Sequence, residues 1–200
     1  MSNASTIRRQ VSGTQQLTIA PLVNPGTSQT AFTLNNNGLT GTGGGVIPLS
    51  AGVTGLYAGT GQVLVIRAAG TATGFTADST TLILELFEVP AAIIAAGGLT
   101  ATSFTGYNEV FATSALDLSL TAGQTTSSFR VEARIQLDAA GNLSGEYEGW
   151  INGTVVAQAT ISVLNGLVGE ADLNFVLAAT LSASTSATIL TLNEFAIDLE

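Results

Sequence analysis

The chain has 200 residues, 46% of them hydrophobic, a formal net charge of -9, and neither cysteine nor histidine. That excludes a disulfide framework, thiol and imidazole catalysis, haem ligation and an ordinary zinc site. All five basic residues are arginines (Arg8, Arg9, Arg67, Arg130, Arg134), so Schiff bases and lysine-dependent phosphate loops are excluded too.

Residues 1–15 read as an extended N-terminal arm, polar and without periodicity, ahead of a single domain over residues 16–200. No apolar run follows Arg8-Arg9 as a secretory leader requires, and no stretch of about 20 apolar residues is present to span a bilayer. From Gln10 to Ile66 there is no charged residue. Leu17 to Val23 is expected as a first strand, confined to a sheet edge by Pro21. Asn35–Gly38 and Gly41–Gly45 are turn and loop chemistry, and the second lacks the Gly-Lys-Ser/Thr ending of a phosphate cradle. Gln62–Ala69 and Thr80–Val89 are rich in β-formers, the latter apolar on both faces like a central strand. Pro90, then Ala91–Ala96 and Gly97, predicts one short helix.

The clearest pattern follows. Phe129, Val131, Ala133, Ile135 and Leu137 alternate with Arg130, Glu132, Arg134, Gln136 and Asp138, a period of two with one apolar and one charged face. Leu143, Gly145, Tyr147 and Gly149 alternate likewise with Ser144, Glu146, Glu148 and Trp150. A three-residue loop at Ala139–Gly141 sets Leu137 beside Leu143 and Arg134 beside Glu146. At Ile151-Asn-Gly-Thr154 a two-residue Asn-Gly turn would oppose Glu148 and Ala157, mixing the faces. A three-residue loop with Gly153 as the bulge glycine keeps them matched, placing Trp150 beside Thr154, and is the expectation here. Asp172–Leu181 and Thr185–Leu199 complete the strands. The apolar phase of the last shifts between Leu190/Leu192 and Phe195/Ile197, which predicts a β-bulge near Asn193-Glu194. The fold class is therefore all-β: an antiparallel β-sandwich or jelly roll of about eight strands, with one short helix and the arm.

Function must be argued largely by exclusion. Five scattered arginines in an acidic chain make no nucleic-acid groove. Glu146 and Glu148 are the one carboxylate pair on a strand face, but a solvated, ion-paired sheet explains them without catalysis, so no enzyme, catalytic residue, metal site or cofactor is expected. No Asp-x-Asp-x-Asp-Gly loop suggests calcium. Charge is scarce: 19 charged residues on the roughly 9,000 Å² expected of this chain is less than half the usual density. Such a surface associates readily, and much of it is expected to face other subunits. The candidate partner-binding residues are Arg8 and Arg9, the one positive cluster, which could dock on an acidic neighbour, and Trp150, a lone aromatic on the polar face.

The run from Phe129 through Asp138 to Trp150-Ile-Asn-Gly153 lies in an acidic chain rich in Gly, Thr and Ala, with a polar N-terminal arm. In these respects it resembles the compact β-sandwich virion proteins of tailed bacteriophages, among them the capsid decoration or cement proteins. The resemblance implies a sandwich on the outer capsid surface of the virion, made in the host cytoplasm. It would bridge major capsid protein subunits, commonly as a homotrimer, with no nucleic-acid or membrane partner. The uncharged Gln10–Ile66 segment suits that role, because it can lie across a neighbour without desolvating charge. Two alternatives remain open: another self-assembling subunit (tail tube, filament or surface layer), and a carbohydrate-binding or adhesin module built on Trp150.

Overall fold

The computed structural model describes residues 9–10, 21–32, 47–48, 63–76, 80–88, 104–137, 142–164 and 174–199, and among these there is no helix. Four two-residue strands come first: β1 (Arg9–Gln10), β2 (Leu22–Val23), β3 (Thr30–Ala31) and β4 (Ile47–Pro48). The body follows as β5 (Val63–Thr73), β6 (Thr81–Glu88), β7 (Asn108–Ala112), β8 (Leu116–Asp117), β9 (Thr126–Leu137), β10 (Asn142–Ile151), β11 (Thr154–Leu164), β12 (Asn174–Leu181) and β13 (Ile189–Leu199). The predicted helix at Ala91–Ala96 lies outside the described residues, as do residues 17–20 of the first expected strand.

One sheet runs in the order β1-β13-β5-β9-β10-β11, with β2 also on β13. The other runs β3-β12-β6-β7, with β4 on β12 and β8 on β6. Every pairing is antiparallel. Period-two alternation decides the inner faces. Leu64, Ile66, Phe129, Val131 and Ile135 of the first sheet share one buried cluster with Leu82, Leu84, Phe175 and Leu177 of the second. The sheets thus pack face to face as a sandwich, and each large aliphatic side chain so buried contributes roughly 1.5–3 kcal/mol of transfer free energy.

Tyr147 adds a polar tie. Its ring packs 6.2 Å from Phe111, while its hydroxyl accepts from the Ser114 amide at 2.5 Å and donates to Ser114 Oγ at 3.1 Å.

The β9–β10 register is the expected one, Leu137 opposite Leu143 and Arg134 opposite Glu146. The bulge in β13 also falls where the phase shift put it: Leu192 pairs with Gly70 and Glu194 with Ala69, leaving Asn193 as the extra residue. The β10–β11 turn differs from expectation. It is the two-residue Asn152-Gly153 turn, both residues left-handed (φ 50° and 79°), with Ile151 opposite Thr154 and Trp150 opposite Val155 rather than Thr154. The faces are reconciled by a bulge at Val156, after which Gly149 meets Ala157 and Glu148 meets Gln158. A single register need not hold along a whole hairpin; one extra residue corrects it.

Of the expected arm, Arg9 and Gln10 pair with Leu199 and Asp198 as a short edge strand.

Candidate binding surfaces

Two surfaces stand out, one rich in charge and one poor in it. On the outer face of the first sheet, register brings Arg67 of β5, Arg130, Glu132 and Arg134 of β9, and Glu146, Glu148 and Trp150 of β10 into a grid. Glu132 sits at its centre: its Oε2 accepts from Arg130 Nη2 at 2.9 Å and lies 3.8 Å from Arg67 Nε. The Arg130 guanidinium in turn lies over the Trp150 ring, 5.1 Å from its centroid. In that position it gains from the negative face of the indole as well as from Glu132. Gln158 of β11 donates from Nε2 to Glu148 Oε1. Trp150 is half-buried under these neighbours.

This face is recessed. A concavity of about 730 Å³ is lined by Arg130, Glu132, Arg134, Glu146, Glu148, Trp150, Gln158 and Thr160, with Tyr147 and Ala159. On the Tyr147 side of β10 stand Gly145 and Gly149. A Cβ on Gly145 would lie 1.9 Å from the Arg134 carbonyl oxygen, and one on Gly149 2.8 Å from Leu116 Cδ2. The backbone therefore approaches β9 and the Leu116 side chain more closely than a side-chain-bearing residue permits. Neither glycine attracts notice as a site residue, yet neither position admits a side chain without a shift of its neighbours. Their place in the alternation was the available signal.

The second surface is the end of the sandwich where β2, β5, β9, β10 and β13 meet their turns. Residues 21–28, 74–76, 118–126, 152–155 and 182–189 carry no charged side chain, and the exposed Asp117 borders them, its Oδ1 accepting from the Ser119 amide at 2.9 Å. Hydrogen bonds join these separate turns. The Asn24 amide donates to the Thr188 carbonyl at 2.8 Å, and the Gly74 amide to the Thr125 carbonyl at 2.9 Å. Thr185 and Thr188 both donate from Oγ1 to the Gly74 carbonyl, at 2.8 and 3.1 Å. Asn152 donates its amide to the Ser128 carbonyl at 3.0 Å and accepts from the Ser128 amide at 2.9 Å. Ser127 Oγ donates to the Leu118 carbonyl at 2.6 Å. From this end project Val23, Leu120 and Val155, 63%, 40% and 47% exposed, the exposed large hydrophobics among the described residues.

Of the candidate residues, Trp150 lies on the polar face as expected, and Arg9 lies in β1 against β13, remote in sequence from the grid. Arg8 is outside the described residues. Glu146 and Glu148 stand two apart on one strand, about 7 Å by strand geometry, side by side rather than across a cleft. No cluster of three or more acidic residues that could hold a metal occurs among the described residues, and no described helix is long and apolar enough to cross a membrane.

No protein-family model and no curated protein matches this chain. Among solved structures, the Lotus tetragonolobus seed lectin is similar over 97% of this chain and 98% of its own, at 10% identity and a TM-score of 0.44. An endo-1,3-beta-glucanase from Streptomyces sioyaensis covers 78% of this chain and 70% of its own, at 9% identity and TM-score 0.37. An endo-beta-1,4-glucuronan lyase from Trichoderma reesei covers 97% and 94%, at 11% identity and TM-score 0.35. Likeness this distant carries no functional argument.

Proposed function

We propose that the protein is a structural virion protein, a capsid decoration protein that stabilises a phage head by bridging major capsid subunits as a homotrimer. The observation that carries this reading is the charge-poor end of the sandwich, where Asp117 is the one charged side chain at the described turns. Its turns are held by hydrogen bonds before any partner arrives, so little conformational entropy is lost on docking. With little charge on it, burial incurs little ionic desolvation, while Val23, Leu120 and Val155 supply apolar anchors. The charge-poor composition supports the same reading, since a lone solvated monomer has no need of such a surface.

The test begins with light scattering after size exclusion on the full chain and on Leu120→Asp, a substitution at an exposed site that leaves the core intact. Co-sedimentation of each with heads assembled from the same phage genome follows. The wild type is expected as a closed trimer that travels with heads, and Leu120→Asp is expected to lose head binding by at least about tenfold through one buried, unpaired charge. A polymer that grows without limit would favour a filament or tube subunit. Wild-type protein left at the top of the gradient would reject the decoration role outright.

A further inference from the structure

We propose that the recess on the outer face of β9, β10 and β11 binds a neutral oligosaccharide, with Trp150 as the stacking platform. The inference does not rest on capsid attachment, which uses the charge-poor end, although Val155 of that end stands directly opposite Trp150. Its volume, about 730 Å³, falls within the range of sites that hold small ligands, and it is open to solvent along the sheet face.

The charges select against the other ligand classes. In the recess Arg130 and Arg134 stand among Glu132, Glu146 and Glu148, with Arg67 reaching Glu132 from β5, and the central groups are already matched to one another. An anionic ligand would meet carboxylates, and a cationic one guanidinium groups. A protein partner would have to cover five charged side chains where interface centres are depleted of them. A neutral polyol faces neither penalty. Carboxylate, amide and guanidinium groups alternate across a rigid sheet at strand spacing, offering acceptors and donors to successive hydroxyls.

The geometry of Trp150 completes the argument. Arg130, anchored by Glu132 and with its side chain 53% exposed, fixes the indole from one side. A ring held in this way lets a sugar stack without first freezing a mobile side chain. The Glu148–Gln158 pair beside it is similarly fixed.

Trp150 is the chain's one tryptophan, so intrinsic fluorescence reports on the recess alone. Full-length protein titrated with maltohexaose, cellohexaose and chitohexaose should show a saturable shift in emission with at least one of them, below about 10 mM. By calorimetry, Trp150→Ala should abolish that binding. Gln158→Ala, an exposed substitution that does not depend on the indole for folding, should weaken it about fivefold through one lost hydrogen bond. The proposal is overturned by any of three results: no shift with all three sugars, affinity unchanged in Gln158→Ala, or a shift that follows protein concentration instead of sugar. The last would mark the recess as a contact between copies. Loss of head binding in Leu120→Asp with sugar binding retained would separate the two surfaces.

Discussion

Asn152 carries more than its exposed position suggests. It holds φ at 50°, which asparagine tolerates better than most residues, and its side-chain oxygen takes the Ser128 amide at 2.9 Å. Asn152→Ala forfeits both, and a loss of about 1–2 kcal/mol is expected, read as a lower urea midpoint at unchanged slope. The same residue shows where reading the sequence failed. The Asn-Gly dipeptide pointed to the observed turn, but face matching was allowed to outweigh it, and the bulge at Val156 that satisfies both is invisible in a list of apolar and polar positions. Trp150 and Arg130, by contrast, could be placed on one face from alternation alone. Their stacking could not, because it depends on the side-chain paths that Glu132 enforces.

At the scale of elements, strict alternation made β9 and β10 readable to the residue, and the phase slip in β13 located its bulge. What alternation cannot supply is which strand lies beside which. The placement of β5 between β13 and β9 brings Arg67 to Glu132, although 65 positions separate them. The two-residue strands were equally hidden, since pairs such as Arg9–Gln10 have no period to detect. β1 and β2 cover opposite ends of one edge of β13, at Leu199–Asp198 and at Ile189–Leu190. Removing residues 1–15 uncovers the β1 end. The melting temperature is expected to fall by about 2–4 °C by scanning calorimetry, the effect of roughly 1 kcal/mol in a chain of this size. An unchanged midpoint would mean that β1 adds nothing to the sheet.

Across the whole molecule, charge is sorted rather than scattered. Apart from Arg9, every described arginine lies on the outer face of the first sheet, while the turns at one end have none. If the charge-poor end makes the contacts between subunits and capsid, association should be nearly indifferent to salt, because exposed charges are what ionic strength screens. Head binding measured between about 0.05 and 1 M NaCl is expected to vary less than threefold. A steep decline would transfer the contact to the arginine-bearing face. Composition announced the shortage of charge. Only the folded chain reveals that this shortage is concentrated at one end.

The pairing of Arg9 with Leu199 also has a consequence in time. β13 lies between β1 and β5, so the first sheet cannot close until the strand at Ile189–Leu199 has been made. Long-range antiparallel closure of this kind is slow, and until it happens the apolar side of β5 has no lasting cover. Such a subunit is a latecomer to its own fold: its docking end, assembled from turns on either side of β13, comes into being only once β13 has been made. A partially made copy therefore presents nothing for a growing assembly to accept.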